Sequence, residues 1–258
     1  MAFSYKSSIS FGLVFIPVRL HNTVKSNDVS FNMLDKRTNS RILYKKISAS
    51  TGEEVNAEDI VKAYQYEKDR YVIIEDDDFE KIKTKRDKSI VIESFVDISE
   101  IDPIYYDKSY YVTPEGAEKA FALLREAMEG EGKIGIAKTV LGSKENLIAL
   151  RVSGGDMILN TMHFYSEIQK NPIKEIKAKV EEKELQLARM IIGSMAASFE
   201  PENYQDEYNL RLRKAIEEKI RGEEITVTDE GDLPNAAISL MEALQRTLQR
   251  GKQAQAGQ

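Results

Sequence analysis

Few groupings in this sequence have the residue types and spacing to do chemistry. Gly130-Glu131-Gly132-Lys133-Ile134-Gly135 spells G-x-G-x-x-G. That spacing cradles a pyrophosphate only when a strand precedes it and a helix follows. Here the apolar pattern puts a helix before it and a strand after it, so the segment reads as a glycine-rich turn. Asp76-Asp77-Asp78 offers three carboxylates. Adjacent residues point in different directions, and their place ahead of Phe79 and Ile82 suits the positive end of a helix instead of a metal site. The two histidines, His21 and His163, fall on separate strand segments. There is no P-loop, no G-x-S-x-G and no H-E-x-x-H. With no Cys in the chain, disulfides, thiolate zinc sites, iron–sulfur ligation and Cys nucleophiles are excluded together. The expectation is a protein that is not an enzyme, with no catalytic residue, no metal and no cofactor.

The grouping left standing is cationic. A net charge of −6 argues at first against a polyanionic partner. The distribution reverses that argument: residues 1–50 hold eight Lys/Arg against two Asp/Glu, and residues 51–100 hold eight against fifteen. Such polarity can give an acidic protein one electropositive face. Lys6, Arg19, Lys36, Arg37, Arg41, Lys45 and Lys46 lie on or beside candidate strands, where their head groups can meet phosphates. In the segment 133–141, alternation puts Lys138 on the face of Ile134, Ile136 and Val140. A cation in that register lines a channel, or snorkels from a strand end. The candidate phosphate-backbone contacts are Lys6, Arg19, Arg37, Arg41, Lys45, Lys46, Lys138 and Lys144. Tyr105, Tyr106, Tyr110 and Tyr111 offer a base-stacking alternative, set against ordinary strand packing.

The elements that must position these groups are mostly strands. Ile9–Leu13 alternates, and Val14, Ile16, Val18 and Leu20 alternate in the opposite phase, which predicts a bulge or bend beside Gly12. Further strands are predicted at 41–47, 70–74, 89–96, 104–112, 133–141, 146–152 and 156–164. One helix interrupts them, with Thr113 as N-cap, Ala117, Phe121, Leu124 and Met128 on one face, and Gly130 at its end. After Pro172 the pattern turns helical over 181–199 and 206–221. The stretch 222–233 reads as an acidic linker. A short amphipathic helix over 234–250 carries Ile238, Met241, Leu244 and Leu248 on one stripe, ahead of a polar tail. No apolar run reaches the roughly 18 residues of a membrane span, and no signal peptide opens the chain. The expected fold class is mixed, mainly β: a β-barrel or sandwich with one inserted helix, followed by helical segments. A cytoplasmic protein that avoids the membrane is expected.

Four stretches in order resemble the bacterial Ku family. Tyr5–Val14 with Pro17-Val18-Arg19-Leu20 is similar to its opening W-K-G-S-I-S-F-G-L-V…P-V-K-L. Glu58–Tyr66, through Arg70-Tyr71-Val72, resembles D-I-V-K-G-Y-E-Y…Y-V. Glu100–Tyr106 and Ala120–Ala127 resemble E-I-D-P-I-Y-F and A-Y-A-L-L-R-E-A, and Leu240–Leu244 resembles L-M-E-A-L. The likeness runs from residue 5 to about 250.

The resemblance implies a protein that binds ends of double-stranded DNA in non-homologous end joining. It implies a homodimer whose barrels and bridging strands ring the duplex, and a C-terminal segment that recruits ligase D. On that basis residues 1–172 are the Ku-type β-barrel core with DNA-encircling strands. Residues 173–222 are the helical dimerisation arm, and 223–258 the linker, short amphipathic helix and flexible tail, with Ile238, Met241, Leu244 and Leu248 as the partner contact. The chain departs from the family in several places. Tyr5 stands for Trp and Ser7 for Gly; Ser48 and Thr51 stand near a Cys pair of some relatives; Ser239 stands where Asp is frequent; and a long Lys-rich tail is reduced to Arg246, Arg250 and Lys252. Two other readings compete: a nucleic-acid-binding barrel without end preference, and a protein-interaction scaffold that never touches DNA.

Overall fold

The phase change beside Gly12 is a reversal of the chain, not a bulge. Strands β1 (Ser4–Phe11) and β2 (Val14–Asn22) pair antiparallel with Ile9 opposite Ile16 across the two-residue Gly12-Leu13 turn. Gly12 has φ 57°, the positive value that the first position of a type II′ hairpin requires and that glycine adopts without strain. These observations come from a computed structural model, which describes residues 4–82, 89–141, 144–173, 178–225 and Leu244.

From β2 the sheet runs through β6 (Tyr106–Pro114), β9 (Asp156–Met162), β8 (Lys144–Ser153), β7 (Lys133–Leu141) and β5 (Ile90–Asp97). Neighbours along this order are antiparallel. β5 then closes on β1 in parallel, with Ile9 opposite Ile90, giving a seven-stranded barrel. Closure leaves the barrel without a free edge to recruit stray strands. Ile9, Ile16, Leu20, Ile148, Leu150 and Leu159 fill the interior. Helix α2 (Glu118–Glu131) adds Phe121, Leu124 and Met128 to that core from one face. The i, i+3, i+7 spacing of these three puts them on the stripe a helix buries.

Thr113 does not cap α2. β6 continues through Thr113 and Pro114, which pair with Arg19 and Val18, and Ala117 precedes the first turn. A proline at a strand end forfeits no needed hydrogen bond there. The helix also passes Gly130 and stops at Gly132, whose φ of 63° forms a left-handed cap. The G-x-G-x-x-G stretch is thus a helix end leading into β7.

Between β2 and β5 the chain leaves the barrel. Residues 23–61 carry little regular structure. β3 (Lys62–Glu67) and β4 (Arg70–Ile74) form a separate two-stranded sheet, and α1 (Asp76–Ile82) starts on the three aspartates. The predicted strand at 41–47 is absent: Arg41 and Ile47 make only isolated bridges, to Leu34 and Glu54. Its alternation is real, but no neighbouring strand offers it a ladder, and a strand exists only by pairing.

The chain divides into two compact units. The first holds Met1–Asn27 and Asn32–Lys170; the second holds Asp28–Phe31 and Asn171–Gln258. In the second, α3 (Glu182–Met195) and α4 (Glu207–Ile220) lie within the segments predicted to be helical. Asp206 caps α4 by accepting from the Asn209 N–H at 2.9 Å. α3 stops four residues short of Phe199, which instead stacks on Tyr204 with ring centroids 5.5 Å apart. No residue of α3 is buried. Among the described residues no helix is long and apolar enough to cross a membrane.

Candidate nucleic-acid interface

The excursion 23–61 concentrates cations because two tight turns organise it. The first is closed by Asp35 and Ser40, each way across the backbone: the Asp35 N–H donates to the Ser40 carbonyl at 2.9 Å and the Asn39 N–H to the Asp35 carbonyl at 2.8 Å. Asn39 takes a φ of 53°, which Asn tolerates better than most residues. The Asp35 carboxylate accepts from the Thr38 hydroxyl at 2.7 Å and the Arg37 N–H at 2.9 Å. The Thr38 bond, then the Arg37 bond, hold its carboxyl below the usual Asp range. The second turn is closed by Ser48 and Glu53, with Gly52 at φ 73°. Ser48 and Ser50 hydroxyls sit 3.0 Å apart, and Thr51 Oγ1 accepts from the Glu53 N–H at 3.3 Å. Hydroxyl bonds thus fasten the turn at Ser48, Ser50 and Thr51.

Between the two turns every residue from Lys36 to Ile47 is exposed. Five cations and no acid stand between Lys36 and Lys46. Arg41 donates to the neutral Asn32 side chain, and Lys45 pairs with Glu54 at 2.6 Å. Lys36, Arg37 and Lys46 make no ion pair among the described residues. An exposed pair such as Lys45–Glu54 contributes only about 0–1 kcal/mol, so a phosphate can displace the carboxylate.

The other sequence-derived candidates sit elsewhere on the barrel. Lys6 and Arg19 are cross-strand partners on β1 and β2 and share one carboxylate, Glu115, at 2.9 Å and 2.7 Å. The Lys6 and Arg19 hydrogen bonds hold the Glu115 carboxyl below the usual glutamate range. Lys138 is on the outer wall, because its neighbours Ala137 and Thr139 are both buried; it lies 3.7 Å from Glu93. Lys144 opens β8 and pairs with Glu167 at 2.7 Å. So the structure joins Lys6 to Arg19, leaves Arg37, Arg41, Lys45 and Lys46 on one exposed segment, and sets Lys138 and Lys144 apart from both in sequence. Lys36 belongs with the exposed segment and is missing from the sequence-derived set, although its position in the basic run marks it. Glu115 is also missing, since nothing local ties it to residues 6 and 19.

The tyrosines divide. Tyr105 and Tyr106 pack with Ile134, Ala149 and Met162 on the outer barrel wall, and Tyr110 packs on the main core. Tyr111 is exposed. Three of the four are therefore packing residues and give no stacking platform. Ile238, Met241 and Leu248 lie outside the described residues; Leu244 is helical and half-buried.

The Glu115 cluster makes a pH prediction. Its folded-state pKa is depressed, so its contribution to stability is present above the ordinary glutamate range and lost as pH falls through the lowered value. In a carboxyl NMR titration Glu115 is expected to titrate below the ordinary glutamate range. Lys6→Ala should move it back up, and an unmoved titration would mean that the pair does not form in solution.

The family model for the Ku70/Ku80 beta-barrel domain matches residues 10–187. The chain is 45% identical over 250 residues to a protein called "Non-homologous end joining protein Ku" from Lachnoclostridium phytofermentans, covering 96% of this chain and 97% of that one. Proteins of the same name are 38% identical in Archaeoglobus fulgidus, covering 98% and 100%, and 36% identical in Bacillus subtilis, covering 95% and 81%. With a closed barrel, a cation-bearing excursion between β2 and β5, and likeness of this extent along nearly its whole length, the chain belongs to the Ku family.

Proposed function

We propose that this chain binds ends of double-stranded DNA without reading sequence, as a ring-shaped homodimer, and recruits ligase D for non-homologous end joining. The observation that carries the reading is the exposed segment 36–46, where five cations stand with no acid among them in the sequence. Cations on an extended, water-exposed segment suit phosphate contacts, which position a duplex without specifying bases. Two symmetric copies of such an excursion, each covering half the duplex, make an opening that DNA enters only by an end. End preference then needs no base recognition. The acidic remainder of the surface repels DNA from other faces.

The test compares a linear duplex with a covalently closed circle of the same sequence. The linear form is expected to bind and the circle to be excluded until a nuclease opens it. Equal binding of both forms defeats the ring and favours a general nucleic-acid-binding barrel; binding of neither favours a scaffold.

The dimer reading has support of its own. Ile192 and Met195 are 69% and 73% exposed on α3, and the β3–β4 sheet exposes Tyr64, Tyr66 and Tyr71. Each of these faces leaves apolar side chains that a partner surface would cover. Sedimentation equilibrium should show a dimer at micromolar concentration, and Ile192→Asp with Met195→Asp should shift it to monomer. A monomeric parent protein would remove the ring.

A further inference from the structure

The turns Ile98–Glu100 and Pro103–Tyr105 lie beside the outer barrel wall and leave a cavity of about 300 Å³. Its lining is of two kinds. Ile98, Ile101 and Pro103 are apolar; Tyr106, Arg151 and Asn160 carry polar groups from β6, β8 and β9. Arg151 Nε donates to Asn160 Oδ1 at 3.0 Å, and Asn160 Nδ2 donates to Ser109 Oγ at 2.7 Å. Asn160 is itself only 5% exposed, so this chain of bonds fixes the guanidinium in place. That bond uses one of the five guanidinium N–H donors. Among the described residues Arg151 has no carboxylate partner. The Tyr106 hydroxyl is buried and makes no hydrogen bond.

Buried polar groups are nearly always satisfied, so an orphaned hydroxyl on a residue that lines a cavity needs a reason. A guanidinium with free donors calls for an anion, and a planar carboxylate matches its fork. The apolar half of the lining calls for hydrocarbon. We propose that this cavity binds a carboxylate carried on a compact apolar body. That chemistry is shared by the C-terminal residue of a peptide ending in Leu or Phe and by a free aryl or branched-alkyl acid. The volume is at the small end of ligand sites, which run from about 300 to 1,000 Å³, so one side-chain-sized body fits. A phosphodiester brings charge but no apolar body and leaves Ile98, Ile101 and Pro103 unused.

The experiment uses the full chain, labelled with ¹⁵N, and follows the Arg151 Nε–H resonance, assigned by its loss in Arg151→Lys. The probes are phenylacetate, 4-methylpentanoate, the peptide Gly-Ala-Ala-Leu with a free or an amidated C-terminus, and inorganic phosphate. The acids should shift the resonance saturably, and the free peptide should bind at least about tenfold more tightly than its amide, which lacks the charge. The relative affinity of peptide and free acids then identifies the source. Tyr106→Phe should weaken binding several-fold without lowering Tm, because it deletes a hydroxyl that has no partner in the free protein. Its DNA binding should be unchanged, which separates this site from the proposed interface. Absence of a saturable shift up to about 10 mM would overturn the proposal, since a Kd beyond that is worth less than about 3 kcal/mol. So would phosphate matching the acids, amide matching free peptide, Tyr106→Phe binding like the parent, or loss of DNA binding in that variant.

Discussion

Replacing Lys36, Arg37, Arg41, Lys45 and Lys46 together by Ala is expected to collapse DNA binding while leaving the barrel folded. Each phosphate contact contributes about 0.9 to the slope of log K against log salt, so five lost contacts flatten it by about 4.5. Between about 50 and 200 mM salt the parent protein then loses about 500-fold more affinity than the variant. Every residue from Lys36 to Ile47 is exposed, so Tm should hold, because the substitutions remove no buried contact. Anisotropy of an end-labelled duplex at several salt concentrations reads the slope. Single substitutions in the segment should each weaken binding for all sequences alike. Lys6→Ala and Arg19→Ala should do less, because Glu115 already neutralises half of that charge pair. A slope unchanged in the five-fold variant would mean that the duplex passes over another face.

The second large effect concerns the C-terminus. Ending the chain after Asp229 should leave dimerisation and end binding nearly intact and abolish stimulation of the ligase. The 17-residue stretch from Pro234 to Arg250 is little longer than the about 12–15 residues below which isolated helices are marginal even for good helix formers. Ile238, Met241, Leu244 and Leu248 share one stripe, so the segment is suited to fold by laying that stripe in a groove. Leu244→Glu places a charge in the middle of it and should act like the truncation. If the shortened protein unfolds or loses DNA, the segment belongs to the fold and recruitment fails. If Leu244→Glu stimulates the ligase normally, the partner reads another surface.

These two predictions draw on different depths of structure. The C-terminal stripe and the basic run are both visible in the sequence, since each is a local pattern: a spacing of three and four residues, or five cations in eleven positions with no acid. The same locality made the barrel strands legible. Local pattern showed β4 to β9, took the turn between β1 and β2 for a bulge or bend, and missed β3, while apolar spacing showed α2, α3 and α4. Where local pattern alone was followed too far, it failed. Thr113-Pro114 resembles a helix start, but the pairing with Arg19 and Val18 claims both residues for β6. Residues 41–47 alternate like a strand, but no partner strand lies alongside.

By itself, then, the sequence determined the mainly β class, the helical second part, the family and the place of the exposed cations. Side-chain periodicity and charge are written residue by residue and need no partner to be read. Only the tertiary structure decided what each charge meets. Glu115 reaches Arg19 across 96 positions because β2 and β6 pair in one register, and a shift of one residue would turn Arg19 to the other side of the sheet. The parallel closure of β5 on β1 and the cavity at Arg151, Asn160 and Tyr106 are likewise products of pairing between distant strands. Register is a property of two segments at once, so no single stretch of the chain carries it.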